Sequence, residues 1–268
     1  MKSALPLVSI IIAAYKAREC LAAAIESVLS QQGVVFELIV IDGGSHDGTV
    51  ELIKSYGEEI AAWISGPDQG VYDAWNKGLG FAKGDWIVFL GADDILMPGA
   101  LACYQSFVAA HAQLDYVSSR LRLVNQNGFS RVIGRPWSWG VFKHYMNVAH
   151  VGSWHHHRLF QRYGGFDDRW AVCGDYEFLL RVGPALKAGF IDEVLVEMAA
   201  GGISESSTRG INETLQIKLY WSSVSAIRAW IDFIEAWAKW HLRRLFLRLF
   251  SCRQGLIAFW KYGRKWFA

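Results

Sequence analysis

The chain has no close pair of cysteines. Cys20, Cys103, Cys173 and Cys252 lie far apart and none belongs to a CxxC, so a disulfide or zinc framework is not expected and the four read as reduced thiols of a cytoplasmic protein. No run of about 18 uncharged apolar residues occurs, which argues against a transmembrane helix. The N-terminus lacks a small-residue cleavage site. Its apolar stretch, Leu5 to Ala14, is short and holds Pro6 and Ser9, so it reads as a first strand and not as a signal peptide. A net charge of only +2 argues against nucleic acid as a partner. Repeats and low-complexity segments are missing. Acidic residues are missing too after Glu235, whereas Lys239, Arg243, Arg244, Arg248, Arg253, Lys261, Arg264 and Lys265 all follow it. Such a one-sided tail points to an anionic surface.

What is present suits one large α/β domain with an appended tail. The 268 residues are 52% hydrophobic and include 13 Trp, enough for a sizeable core. Val8 to Ala14 (VSIIIAA), Phe36 to Ile41 (FELIVI) and Trp86 to Leu90 (WIVFL) are continuous apolar runs, expected of parallel strands covered on both faces. A shorter strand is expected at Ala61 to Ser65. Helical segments fall between these strands: one with Leu21, Ile25, Val28 and Leu29 on one side, one over Val50 to Tyr56 with Asp47 or Thr49 placed to cap it, and one near Tyr72 to Ala82. This alternation predicts a doubly wound, mostly parallel sheet, with ligands beyond the carboxyl ends of its strands. Further on, Tyr116 to Val124 and Phe129 to Ile133 flank Asn125-Gln126-Asn127-Gly128, a hairpin signal. Arg135 to Tyr163 shows no clean period and is expected to form loops over a groove. Asp175 to Leu186 reads as a helix, Phe190 to Val196 as a last strand, and the chain from about Ile211 as helix.

Carboxylates follow strands three times: Asp42, Asp68, and the pair Asp93-Asp94. A single acid after a strand is ordinary helix capping. Three on one rim, one of them doubled, oppose folding through like charge unless a cation joins them. Magnesium or manganese bridging a diphosphate meets that need, since both ions take carboxylate and phosphate oxygens.

These residues resemble a known family. From about Leu7 to Ser207 the chain is similar to the family 2 glycosyltransferases of the GT-A fold, in particular those that build bacterial polysaccharide and lipopolysaccharide. Val8-Ser9-Ile10-Ile11-Ile12-Ala13-Ala14-Tyr15 matches that family's first strand, which implies that Ala13 and Tyr15 meet the nucleotide-sugar. Ile41-Asp42-Gly43-Gly44-Ser45-His46-Asp47-Gly48-Thr49 matches its nucleotide-binding turn, with Asp42 implied at the base or ribose and Asp47 and Thr49 shaping the turn. Ser65 to Gly78 (SGPDQGVYDAWNKG) is similar to a segment in which Asp68, Asn76 and Lys77 would line the donor site; Lys77 reads equally well as a solvated helix residue. Gly91-Ala92-Asp93-Asp94 stands where relatives carry a DxD-type metal motif, often with Asp or Asn in place of Gly91. Asp94 is expected as the direct metal ligand with Asp93 beside it, and the reverse order is open. Gly164-Gly165-Phe166-Asp167 and Cys173-Gly174-Asp175-Tyr176-Glu177 match the acceptor-side signature, in which the carboxylate at Asp175 is the general base. Relatives often have Glu where this chain has Gly174, so the support around that base is expected to differ. Asp175 is also placed to cap the helix that follows, and the two roles are compatible.

The resemblance implies a His at position 150 facing the cleft, toward diphosphate or acceptor; a core or surface histidine is the rival reading. His155, His156 and His157 are adjacent, so their side chains do not converge on one ion from a regular strand or helix. Gly201-Gly202-Ile203-Ser204 resembles a segment that closes over the donor. The domains expected are a GT-A domain over 1–210, its nucleotide-sugar half about 1–97 and its acceptor half about 98–210, and a basic aromatic helical tail over 211–268. In that tail Leu242, Leu245, Phe246, Leu249 and Phe250 recur at helical spacing opposite Arg243, Arg244 and Arg248, after an earlier stripe of Trp230, Phe233, Ile234 and Trp237. A helix of this kind suits the headgroup region of an anionic membrane, or else packs on the protein's own core or on a second subunit.

The expectation is thus an inverting, Mn2+- or Mg2+-dependent transferase at the inner face of the cytoplasmic membrane. It would move a sugar from a nucleotide-sugar, by resemblance a UDP-sugar, to a glycan or polyprenyl- or lipid-linked acceptor. The alternative is a non-catalytic relative that binds a nucleotide or partner at the membrane. A nucleotidyltransferase or dehydrogenase on a doubly wound sheet is disfavoured, because Val8 to Arg18 holds neither a Gly-rich basic loop nor a GxGxxG turn.

Overall fold

The structure, a computed structural model, describes residues 7–125, 128–202 and 207–249, with side chains in the last helix up to 246. The chain divides into two compact units, Met1–Glu205 and Ser206–Ala268. In the first unit β1 (Val8–Ala14), α1 (Leu21–Leu29), β2 (Phe36–Asp42), α2 (Thr49–Ser55), β3 (Ala62–Ser65), α3 (Val71–Leu79) and β4 (Trp86–Gly91) alternate. Strands β3, β2, β1 and β4 lie side by side in that order and are parallel. The apolar runs form these strands because helices cover both faces of the sheet. Ile10, Ile11 and Ile12 are wholly buried, and each such side chain stabilises the fold by roughly 1.5–3 kcal/mol. Leu21, Ile25 and Val28 are the buried face of α1, spaced as one helical stripe.

Beyond β4 the sheet becomes mixed. β5 (Ile95–Leu96), α4 (Ala100–Ala110), β6 (Tyr116–Val124), β7 (Ser130–Ile133), α5 (Trp139–Phe142), β8 (Trp154–His156), α6 (His157–Tyr163), α7 (Gly174–Val182) and β9 (Ala188–Ala199) follow. The full strand order is β3-β2-β1-β4-β8-β6-β9-β5, with β7 paired to β6. The hairpin expected around Gly128 is present, its strands in antiparallel register from Leu121↔Ile133 to Val124↔Ser130.

Two local expectations change. The stretch 135–163 is not all loop: β8 inserts antiparallel between β4 and β6, and Trp154 and His155 within it are fully buried. The histidines disguised this strand, since polar residues seldom signal a buried one. Helix α7 stops at Val182, short of Leu186. Gly183 there takes φ +67°, and Pro184, which lacks an amide proton, does not continue the helix.

The second unit holds α8 (Arg209–Trp221) and α9 (Ala226–Leu249). Lys218 Nζ meets Asp232 Oδ2 at 2.9 Å with both side chains buried, and Arg228 reaches the other oxygen at 2.8 Å. A buried charge left alone is costly, so this triad ties the two helices in one register. Ile227 (76%), Ile234 (60%), Trp230, Trp237, Leu242 and Leu245 on α9 are exposed. Among the described residues no helix is long and apolar enough to cross a membrane. The expectations for Ile203, Ser204, Phe250, Cys252, Arg253, Lys261, Arg264 and Lys265, and for the side chains of Arg248 and Leu249, lie outside the described residues.

Candidate active site

The chain leaves β1 towards β2 on one side and returns from β3 to β4 on the other, so the strand order reverses between β1 and β4. Open α/β sheets bind ligands at the carboxyl ends of strands beside such a reversal. Ala13 sits there, in register with Ile41 on one side and Gly91 on the other. Tyr15, the next outward-facing residue of that segment, is exposed with Lys16 Nζ 5.1 Å above its ring.

The turn after β2 is fastened to the end of β1. Ser45 Oγ accepts from Lys16 N at 2.7 Å, Thr49 Oγ1 from Ala17 N at 3.0 Å, and Asp47 from Arg18 N at 3.2 Å. Asp47 also accepts from Thr49 N and Oγ1, and these bonds, that to the Thr49 hydroxyl first, hold its carboxyl below the usual range. Asp42 is 1% exposed. Its Oδ2 accepts from Gly44 N (3.1 Å), Ser45 N (2.9 Å) and Ser65 Oγ (2.5 Å), so this carboxylate braces the turn and links it to β3. Asp68 stands over the same turn: a Cβ placed on Gly43 would lie 2.6 Å from its Oδ2.

After β4 the two neighbouring acids differ in exposure. Asp94 is 4% exposed and its Oδ2 accepts from Gly91 N at 2.6 Å. Burial, and with it the charge of Asp93, lifts its carboxyl to about 7 against the opposing pull of the Gly91 N–H. Asp93 is exposed. A Cβ on Gly91 would lie 2.9 Å from Asp94 Oδ2 and 3.0 Å from Asp93 Oδ1. Two carboxylate oxygens thus converge over Gly91, and an Asp or Asn side chain there would displace them. Among the described residues no group of three or more His, Cys, Asp and Glu is placed to hold a metal ion.

Helix α3 joins the two halves of the sheet. Gly78 lets it lie against β1, for a Cβ at that position would come within 2.4 Å of Ile11 Cγ2. One pair of its side chains holds the loop that carries Asp68: Lys77 Nζ donates to Pro67 O at 2.9 Å and Asp73 accepts from Gln69 N at 3.0 Å. Lys77 and Asp73 also pair with each other at 3.1 Å. The other pair reaches about a hundred residues along the chain. Asn76 donates to Phe166 O and accepts from Phe166 N, both at 2.8 Å. Tyr72 Oη lies 3.0 Å from Asp175 Oδ1 and 2.9 Å from Val172 O. The spacing explains the division, since residues 72 and 76 share one helix face and 73 and 77 the next.

Asp175 stands in the first turn of α7, where the positive end of the helix dipole favours a carboxylate. Its Oδ1 also accepts from Tyr176 N at 2.8 Å. Arg181, one face down the same helix, donates to Tyr163 O, Gly165 O and Glu177 and so ties α7 to the segment that Asn76 grips.

His150 is 5% exposed, enclosed by Trp75, Phe89, His155 and Phe166 with ring centroids 4.9–6.2 Å away. Among the described residues neither ring nitrogen has a hydrogen-bond partner, and burial pushes its pKa down to about 3. His155 is buried alongside it, pushed down by burial and by His150. The structure therefore gathers Ala13, Tyr15, the 42–49 turn, Asp93 and Asp94 at the reversal point, sets Asp68 against that turn, joins Asp175 to α3, and leaves His150 in the aromatic interior. Tyr72 and Ser65 carry contacts that sequence reasoning passed over. For Tyr72 the only signal was its four-residue spacing from Asn76.

The same arrangement of sheet and helices occurs in solved structures. Staphylococcus aureus TarS in complex with UDP-GlcNAc superposes with a TM-score of 0.67 at 14% identity, over 92% of this chain and 76% of that one. The mannosyltransferase PcManGT from Pyrobaculum calidifontis, in complex with GDP-Man and Mn2+, gives 0.62 at 15% identity, over 99% and 84%. The fold is GT-A. Residues 9–164, more than half of the chain, match the family model "Glycosyl transferase family 2", and the protein belongs to that family. Among its relatives is a PGL/p-HBAD biosynthesis glycosyltransferase of Mycobacterium bovis, 29% identical over 260 residues, 91% of this chain and 96% of that protein.

Proposed function

We propose that the protein transfers a sugar from a nucleotide-sugar, UDP-linked in this reading, to a hydroxyl of a glycan or lipid-linked acceptor, with inversion at the anomeric carbon. The observation that carries this reading is the convergence of Asp93 and Asp94 over Gly91 at the strand reversal, in a chain whose Asp175 is fastened to the same half through α3. TarS with UDP-GlcNAc and PcManGT with GDP-Man and Mn2+ add support for a nucleotide-sugar and a divalent cation.

The converging carboxylates fit Mn2+ or Mg2+. Asp94 is committed to the Gly91 amide and buried, so the exposed Asp93 would be the direct ligand with Asp94 beside it, the reverse of the order expected from sequence. When bound, the cation neutralises the departing diphosphate. Ala13, Tyr15 and Asp68 border the donor, Lys77 and Asn76 hold the walls in place, and the turn braced by Asp42 presents backbone to the nucleotide. His150 supports the site from within the core and does not meet the donor. Asp175 takes the proton from the acceptor hydroxyl as its oxygen bonds to the anomeric carbon and the bond to the diphosphate breaks on the opposite face.

The domains of this reading are the transferase domain over 1–210, with donor and acceptor halves, and the tail over 211–268. The exposed apolar face of α9 beside Arg243 and Arg244 suits an anionic membrane surface, which would place the enzyme at the inner face of the cytoplasmic membrane next to lipid-linked acceptors.

The test uses labelled nucleotide-sugars with purified protein and lipid extracts as acceptor. Label should move to the lipid fraction with wild type and not with Asp175→Asn, while both proteins bind the donor equally. Transfer that persists in Asp175→Asn removes Asp175 from the role of base.

A further inference from the structure

We propose that Tyr72 is a positioning residue for Asp175, and that the missing side chain at Gly174 is what admits it. This rests on the reading of Asp175 as the base. The ring of Tyr72 lies flat against Gly174: a Cβ there would come within 2.8–2.9 Å of three ring carbons. Trp75 and Phe166 hold the ring from other sides, with centroids 5.4 and 5.6 Å away. The ring has no room to swing, so its hydroxyl is fixed at 3.0 Å from Asp175 Oδ1.

Asp175 stands on the first turn of α7 and accepts from the Tyr176 amide of its own helix. Through Tyr72 it is placed by α3, the helix that also holds the Asp68 loop by Lys77 and Asp73. Asn76 locks the same face of α3 to Phe166 one turn away, which makes the link stiff. The carboxylate is thereby set relative to the half of the sheet that carries Asp93 and Asp94. Burial and the Asp175 charge both push the Tyr72 phenol up, so it stays a donor. Its single proton has two acceptors, Val172 O at 2.9 Å and Asp175 Oδ1. An ionised carboxylate is the stronger acceptor, so the hydroxyl serves Asp175 before transfer and turns to Val172 O once Asp175 holds the proton. Cys173 and Tyr116 are other ionisable groups that share this field, and neither is altered in the variants below.

The experiment compares the full-length protein with Tyr72→Phe and Gly174→Ala by two readouts. The first is release of nucleoside diphosphate from UDP-GlcNAc with Mn2+, water serving as acceptor. Tyr72→Phe keeps the ring and loses the hydroxyl. It is expected to lower kcat tenfold or more with the KM for donor unchanged, since a small misplacement of a reacting group costs up to about 100-fold. The second readout needs no turnover. The 13C carboxyl resonance of Asp175, assigned by its loss in Asp175→Asn, should titrate at higher pH in Tyr72→Phe than in wild type, because a donor to the charged form has been removed. Gly174→Ala, which displaces the ring, should reproduce both effects. Unchanged kcat or an unchanged titration in Tyr72→Phe overturns the proposal. Full turnover in Asp175→Asn would overturn the assignment of the base and not the contact, which the titration still reports.

Discussion

Between about pH 7.5 and about pH 5.5, wild-type protein should lose about 1.4 kcal/mol of stability relative to a His150→Phe variant. His150 is enclosed by aromatic rings, with both nitrogens unpartnered among the described residues, and burial holds it neutral down to about 3. In the unfolded chain it takes up a proton near its ordinary value of about 6.5. A group depressed in this way gives its full stability above the unfolded value, and that stability drains away as the pH falls from there toward the folded value. One pH unit below 6.5 the unfolded state gains RT ln(1 + 10), about 1.4 kcal/mol. The wild-type curve alone does not isolate this, because Asp94 runs the other way. Its carboxyl is held up to about 7, so it takes up a proton in the fold first and adds stability as the pH falls. His155 contributes in the same sense as His150, being pushed down by burial. Asp94 is common to the two proteins and cancels in the difference, and His155 cancels with it because burial, the larger cause of its depression, is present in both. Overpacking by the larger Phe ring costs roughly 1–3 kcal/mol, but that offset does not depend on pH. The assay is urea unfolding at half-unit steps of pH, read as the difference in extrapolated stability. A flat difference would mean that His150 titrates in the folded protein at its ordinary value, which requires an opening to water and returns it to the cleft.

Other consequences are equally open to measurement. Asn76→Ala leaves Phe166 N and O without their partner, and two lost hydrogen bonds should cost roughly 2–4 kcal/mol in urea unfolding; a cost under about 0.5 kcal/mol would refute the clamp. Asp175→Asn should lower transfer by about 100- to 10,000-fold with donor affinity unchanged, as seen by equilibrium binding of the nucleotide-sugar. Replacing Arg243 and Arg244 by Glu should weaken binding to phosphatidylglycerol vesicles by at least about 30-fold, taking about 1 kcal/mol per basic residue. Equal sedimentation with anionic and neutral vesicles would exclude a membrane role for that face.

The parallel half of the sheet was legible in the sequence because its strands are buried on both faces and appear as unbroken apolar runs: VSIIIAA, FELIVI and WIVFL. Asp93, Asp94 and Asp175 were legible through the motifs that surround them. The rest depends on contacts between segments far apart in the chain. β8 was hidden because it carries His155 wholly buried and His156 half-buried, and a buried histidine runs against the pattern by which core strands are recognised. The contacts of Tyr72 with Asp175 and of Asn76 with Phe166 span 103 and 90 positions, and no local pattern encodes pairings of that range. The different burial of Asp93 and Asp94, adjacent and chemically identical, arises from the backbone after β4, where the Gly91 amide turns one of them inward.

The claim that matters most is that the carboxylates over Gly91 receive a cation and a nucleotide-sugar together. It is tested most directly by the melting temperature of the purified protein against UDP-, GDP- and dTDP-sugars, each with and without Mn2+, because a ligand that binds only the folded state raises it. The account predicts a rise with one nucleotide class that needs the metal and disappears in Asp93→Ala and in Asp94→Ala. No rise with any donor, or a rise that both variants keep in full, would contradict it.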